Sequence, residues 1–155
     1  MSSLFGNPQE ANLKACEHMV EAVLGERGLD PEKTRIQSVA GPAWGMSQGS
    51  AEVYIFLSST ASDNFIQVVS PVMRPTPESM TSTALMQRLL ELNANELTGA
   101  SFGLRDHEVV LTSDRSTVGL DRVEVEDMIR RVADYADHYD DVLTEEFGGT
   151  RHSDL

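Results

Sequence analysis

Two neighbouring apolar segments constrain the fold more than any other feature of the chain. Residues 51–58 and 64–70 are rich in β-branched and aromatic side chains, a composition that favours β-strands. Only the five mostly polar residues 59–63 separate them, which is enough for a hairpin connection and too short for a crossover. The two segments are therefore predicted to pair as adjacent antiparallel strands.

Both sides of this predicted hairpin are apolar. Successive side chains of a strand point to opposite faces. One face then receives Val53, Ile55, Leu57, Ile66 and Val68, and the other receives Tyr54, Phe56, Phe65 and Val69. Helices on one side only would leave one set uncovered, and an uncovered apolar strip marks an interface. The alternative is that a helix or a second copy of the chain buries both sets.

Capping signals predict three helices. The first begins at Asn7, with Pro8 at its first position, and ends at Gly25 to Gly28. The second opens at Thr76 and stops at Gly99. The third opens with Asp121 and Glu124 in a capping-box spacing and ends at residues 148–149.

The remaining segments complete an α+β order. Residues 35–40 form a weak strand, and residues 41–49 form a glycine-rich loop that carries Trp44. A second hairpin covers residues 100–105 and 108–112. The order is helix, three-stranded antiparallel meander, helix, two-stranded hairpin, helix, which predicts helices mainly on one face of a curved sheet. We predict a single domain over residues 1–155, with an ordered core at 7–147 and a frayed C-terminal tail at 150–155.

Charge narrows the kinds of partner. The net charge is −13, and Lys14 and Lys33 are the only lysines. Nucleic acids and anionic membranes attract basic surfaces, so neither is expected as a partner. The acidity fits solubility, a salt-rich cytoplasm, or a preference for basic or apolar partners. The first seven residues lack the pattern of a signal peptide, and Cys16 has no second cysteine to pair with, so we expect a cytoplasmic protein.

Motifs for catalysis or metal binding are absent from the sequence. The four histidines lack metal-ligand spacing, and the cluster Asp134, Asp137, His138 and Asp141 fits a solvated helix face better than a metal site. Cys16 lies on the apolar stripe of the first helix and is expected to be a buried hydrophobe. We therefore predict no enzymatic activity, no cofactor and no metal.

Several segments carry a resemblance to a known family. They are the helix segment Leu89-Leu90-Glu91-Leu92-Asn93-Ala94-Asn95, the strand Ala100-Ser101-Phe102-Gly103-Leu104, residues 120–127, and Val132-Ala133-Asp134-Tyr135-Ala136-Asp137. Over residues 78–145 the chain resembles the YbjN-domain family, which shares the class I type III secretion chaperone fold. The resemblance implies an acidic homodimer that binds segments of other proteins. The YbjN branch is also labelled a sensory or stress regulator.

These observations lead to one main hypothesis and two alternatives. The main one is a chaperone-like module that binds a partner segment through the sheet and the first helix, with partner-binding residues Tyr54, Phe56, Phe65, Val69 and Trp44 and a homodimer interface at Leu85, Leu89 and Leu92. The first alternative is a regulator that binds a small ligand at the loop 41–49 and signals to a partner. The second is an enzyme with an unfamiliar site, since fold alone does not exclude chemistry.

Overall fold

The computed structural model describes residues 6–155, which contain five α-helices and seven strands. In chain order these are α1 Pro8–Glu26, α2 Pro31–Thr34, β1 Arg35–Ile36, β2 Ala43–Gln48, β3 Ala51–Ser59, β4 Asn64–Arg74, α3 Pro77–Thr81, α4 Thr83–Asn95, β5 Ser101–Arg105, β6 Glu108–Ser116, α5 Arg122–Phe147 and β7 Thr150–Arg151. A short 3-10 turn, His152–Asp154, follows β7. The α+β class predicted from the sequence is confirmed.

The strands form one antiparallel sheet in the order β1-β2-β3-β4-β6-β5, with β7 paired to the end of β4. The predicted hairpin between residues 51 and 70 is present, with Tyr54 opposite Val69 and Leu57 opposite Ile66. The second hairpin turns at Asp106 and His107, both with positive φ, as a two-residue hairpin turn requires. Strand β4 lies in the middle, between β3 and β6.

Helices α1, α4 and α5 cover one face of the sheet, which we call the inner face. Val53, Ile55 and Leu57 of β3 have no solvent exposure and join the helices in one core cluster. The fully buried Val20 of α1 and Ile129 of α5 belong to the same cluster. The opposite face, called the outer face, carries the other set of alternating side chains.

Two of the predicted helix starts follow the sequence signals closely. The Asn7 side chain accepts a hydrogen bond from the Gln9 backbone N–H. Asp121 and Glu124 form a reciprocal capping box at the start of α5. Within residues 6–155, no helix is both long and apolar enough to span a membrane.

The predicted second helix is wrong in its continuity. The chain breaks at Ser82, whose extended backbone ends α3 and whose hydroxyl caps α4 by accepting from the Ala84 N–H. The run Thr81-Ser82-Thr83 has low helix propensity, and a serine side chain competes for backbone hydrogen bonds. A capped start is therefore preferred there to a continuous helix.

Two sequence predictions near the N-terminal strands are also wrong. The strand expected at 35–40 is only the two residues Arg35–Ile36. The loop expected at 41–49 is mostly the strand β2, whose Gly45 lies opposite Tyr54. A Cβ at Gly45 would meet the Tyr54 ring at 3.4 Å, an ordinary van der Waals contact, so this glycine lies in a paired strand and does not mark a loop.

The expected fraying of residues 150–155 is wrong as well. Thr150 and Arg151 pair with Arg74 and Met73 of β4. Gly149 makes this approach possible, because a Cβ there would lie 2.3 Å from the Arg74 carbonyl oxygen. The C-terminal segment is thus part of the sheet.

Candidate functional site

Three aromatic side chains form a strip on the outer face. Tyr54, Phe56 and Phe65 are each half-buried, and the Tyr54 and Phe56 ring centroids lie 6.5 Å apart. Gln67 is directly opposite Phe56, so Phe65 is its diagonal neighbour across β3 and β4. We call these three residues the aromatic strip. It lies on the side of the sheet that the core helices do not cover.

Val69 continues the same face but is only 3% exposed. With Tyr54, Val110 and His152 it helps to line a cleft of about 180 Å³. Val110 is also buried, and neither valine belongs to the core cluster under the helices. The outer face therefore has a half-open aromatic part and a deeper apolar part beside the C-terminal segment.

A polar group closes one end of this cleft. The His152 ring places Nε2 3.0 Å from Glu52 Oε2 and Nδ1 2.9 Å from Glu108 Oε2. The Tyr54 hydroxyl donates to the same Glu52 oxygen at 2.8 Å, and Arg74 donates to Glu108 Oε1 at 2.9 Å. Strands β3 and β6 and the C-terminal segment are thereby linked across β4.

These contacts shift the pKa values of Glu52 and Tyr54. The pKa of Glu52 lies below its usual value, first because the Tyr54 hydroxyl donates to the carboxylate, and also because His152 bonds and attracts it. Burial raises the pKa of Tyr54, and the neighbouring Glu52 raises it further. Glu52 is therefore held as a carboxylate and Tyr54 as a neutral hydroxyl donor at neutral pH.

Trp44 is not a surface contact, contrary to the sequence prediction. Its side chain has no solvent exposure and lies on the inner face of β2 within the core cluster. The Arg35 guanidinium lies over its ring, 4.9 Å from the centroid, and Glu17 and Glu21 hold that guanidinium in place. Most of the segment 41–49 is strand, so it does not form the flexible loop that the alternative hypothesis required for a ligand.

Leu85, Leu89 and Leu92 are not on the surface either. They are 0%, 4% and 1% exposed, and they pack into the core of their own chain. The apolar stripe of α4 packs against the inner face of the sheet. These leucines are therefore not available for contact with a second copy of the chain. Leu90, on the other side of α4, is 68% exposed.

Other candidate chemical groups have structural roles. Asp137 accepts hydrogen bonds from the backbone N–H and the hydroxyl of Ser50, and Asp134 accepts from Gln48. Cys16 is 2% exposed, and burial raises the pKa of its thiol. Among residues 6–155, no group of three or more histidine, cysteine or acidic side chains is placed to hold a metal ion.

A family model matches this chain over residues 15–155, which is most of its length. Its description is "T3SS (YopN, CesT) and YbjN peptide-binding chaperone 1", abbreviated TY-Chap1. The chain belongs to the TY-Chap1 family. The resemblance that the sequence predicted is confirmed, and so is a type III secretion chaperone-like module that binds peptide segments. A search of curated protein sequences finds no significant match.

Solved structures show the same fold at low sequence identity. The chain is similar to a chain of the ExsC–ExsE complex, with a TM-score of 0.63 and 13% identity over 84% of this chain and 95% of that one. It is similar to a chain of the HopA1–SchA chaperone–effector complex, with a TM-score of 0.61 and 11% identity over 87% and 99%. A chain of the ExoT–SpcS complex from Pseudomonas aeruginosa gives 0.53 and 11% over 79% and 95%.

Sequence reasoning missed the polar end of the site in this TY-Chap1 chain. Glu52, Glu108 and His152 lie far apart along the chain and meet only because β3, β4 and β6 are neighbours. Glu52 and Tyr54 are two residues apart on one strand and share a face, so their proximity could have been predicted from the sequence. The position of His152 could not have been predicted in this way, because β7 pairs with a strand that is distant in the sequence.

Proposed function

We propose that this protein binds an extended segment of a partner protein on the outer face, with Tyr54, Phe56 and Phe65 as the main contacts. The observation that carries this proposal is the aromatic strip itself, three half-buried rings on the side of the sheet without core helices. Aromatic side chains supply much of the binding free energy at protein interfaces. Binding of this kind needs no catalysis.

The related structures support a protein as the bound molecule. Each of the three is a complex of two proteins, and one is described as a chaperone–effector complex. Val69 would contribute from the floor of the cleft, since it is almost fully buried. We also propose that the protein is cytoplasmic, a location supported by its membership of a peptide-binding chaperone family.

The test is capture of partner proteins from native lysate by wild type and by Phe56→Asp. A charge placed on the strip should remove most of the specifically captured proteins, because a buried unpaired carboxylate is costly at an interface. Val39→Asp is the matched control, since Val39 is fully exposed and lies outside the strip. Identical captured sets from wild type and Phe56→Asp, with both proteins folded, would reject the strip as the binding surface.

We also propose a homodimer, formed by the outward side of α4 and by β5. Leu90 on α4 and Leu104 on β5 are 68% and 45% exposed, and these two elements pack against each other. Strand β5 is the last strand of the sheet order, with one backbone edge unpaired among the described residues. An exposed edge beside exposed leucines is suited to a self-complementary contact.

A further inference from the structure

The C-terminal segment occupies one end of the outer face. Thr150–Arg151 pairs with the end of β4, and the turn His152–Asp154 packs against β3 and β4. The segment thus does what an added partner strand does, namely pair its backbone with a strand end and place a side chain on the face. It shows what this end of the sheet accepts.

The accepted side chain is one that donates to two carboxylates. Both ring nitrogens of His152 lie within hydrogen-bond distance of carboxylate oxygens, and a guanidinium, with its fork of N–H donors, could donate to both. The His152 side chain is 24% exposed, and that of Glu108 is 15% exposed. A cationic side chain with two donors would suit this partly buried position between two carboxylates, because charge-assisted hydrogen bonds are strong.

Removal of His152 would leave an incomplete site. Glu52 would keep the Tyr54 hydroxyl, and Glu108 would keep Arg74, but one oxygen of Glu108 and one acceptor position on Glu52 would lose their donor. Partly buried carboxylates that have lost one of their donors favour a cation that reaches them. The chain's net charge of −13 adds long-range attraction for a basic segment.

We infer that residues 150–155 are an internal ligand of the outer face, and that the partner segment is extended and carries a cationic side chain which replaces His152 between Glu52 and Glu108. This inference rests on the proposed function, because it names the chemistry of the segment bound there. Displacing the C-terminal segment breaks few backbone hydrogen bonds, because β7 has only two residues paired with β4. The aromatic strip and the cleft then bind the apolar side chains that follow.

The test uses the full-length chain and two synthetic peptides of residues 148–155 with blocked termini. One peptide carries His152→Arg and the other His152→Glu. Binding is measured by two-dimensional NMR titration, which detects millimolar affinity. We expect the arginine peptide to bind the His152→Ala chain about tenfold more tightly than wild type, the factor that corresponds to an internal segment bound about nine-tenths of the time in wild type. The shifted amides should lie at Glu52, Tyr54 and Glu108.

Two further variants make the outcome decisive. The glutamate peptide should not bind, and Glu52→Gln in the His152→Ala background should weaken the arginine peptide severalfold. Equal affinity of the arginine peptide for wild type and His152→Ala, or no binding to either, would overturn the internal ligand. Equal affinity of the two peptides would overturn the cation requirement, and affinity that depends on protein concentration would show that the segment exchanges between two copies instead.

Failure here is distinguishable from failure of the proposed function. If the peptides do not behave as expected while Phe56→Asp still abolishes capture, the strip binds partners and the internal-ligand inference alone is wrong. If Phe56→Asp captures the same proteins as wild type, the proposed function itself is wrong.

Discussion

Burial of the Trp44 side chain has two opposite effects on the stability of the fold. Its ring is fully buried beneath Arg35, and its Nε1 has no hydrogen-bond partner among the described residues. A buried N–H without an acceptor is destabilising, whereas the buried ring is strongly stabilising. Substitutions that remove only one of these groups separate the two effects.

Trp44→Phe should therefore be much less damaging than Trp44→Ala. The alanine variant should lose about 3–5 kcal/mol of the free energy of unfolding, the usual cost of truncating a buried aromatic. The phenylalanine variant removes the unpartnered N–H along with part of the ring, so its loss should stay below about 2 kcal/mol. Both losses are measured by urea unfolding followed by circular dichroism. Tryptophan fluorescence cannot be used, because both variants lack the only tryptophan. Similar losses in the two variants would contradict this account.

Asp137 makes stability depend on pH. Its pKa is lowered, first by the Ser50 backbone N–H and then by the Ser50 hydroxyl. A carboxyl group with a lowered folded pKa stabilises the protein above its unfolded pKa, near 3.8, and loses that contribution as pH falls through the folded value. Asp137→Asn should be less stable than wild type at pH 7, and the difference should vanish in acid.

The control for this pH dependence is Glu145→Gln on the same helix, which removes an exposed carboxylate. Its stability should track that of wild type across the acid range. A difference for Asp137→Asn that stays constant as the pH is lowered would show that the charge of Asp137 does not matter.

At the scale of residues, alternation along β3 and β4 was sufficient to predict the two faces. Tyr54, Phe56 and Phe65 lie on the outer face because side-chain direction in a strand follows from position alone. Trp44 could not be placed in that way, because three glycines in residues 41–49 are typical of a loop and only the pairing with β3 reveals a strand.

Among the elements, the pairing of β7 with β4 depends on Gly149. Its φ is +104°, and a Cβ would lie 2.3 Å from the Arg74 carbonyl oxygen. Gly149→Ala should therefore detach Thr150–Arg151, and hydrogen exchange at the amides of the C-terminal segment should become rapid. Most of the remaining sheet should stay protected, since β7 adds only two paired residues to it.

Gly119→Ala is the matched control for that prediction. Gly119 also has a positive φ, +70°, but a Cβ there meets nothing within 4 Å. The control should cost about 1–2 kcal/mol for the left-handed backbone alone and leave the C-terminal amides protected. Protected C-terminal amides in Gly149→Ala would show that the close approach to Arg74 is not required.

Local signals explain which elements were predictable. The caps at Asn7 and Asp121 and the turn at Asp106 and His107 depend on residues within a few positions of each other, so the sequence states them directly. The break at Ser82 was harder to predict, because a continuous helix and a helix that ends and restarts there are both compatible with the local sequence. The pairing of β7 depends on residues more than seventy positions away, and no local pattern encodes it.

At the scale of the whole molecule, the proposed homodimer can be tested through Leu90. Leu90→Arg should convert the dimer to a 17.0 kDa monomer in size-exclusion chromatography with light scattering, because a charge on the contact surface is costly to bury. Val123→Arg, at another exposed apolar residue on α5, should leave the mass of wild type unchanged. A dimer that persists in Leu90→Arg would place the contact elsewhere.

Cys16 gives the molecule a built-in reporter of its own opening. Only the thiolate reacts with alkylating agents, and burial of Cys16 on the core-facing side of α1 both raises the pKa of this thiol and blocks access to it. Modification then proceeds only during the moments when α1 lifts from the sheet. The alkylation rate of this sole cysteine therefore measures the free energy of that opening under native conditions, with no denaturant and no engineered label.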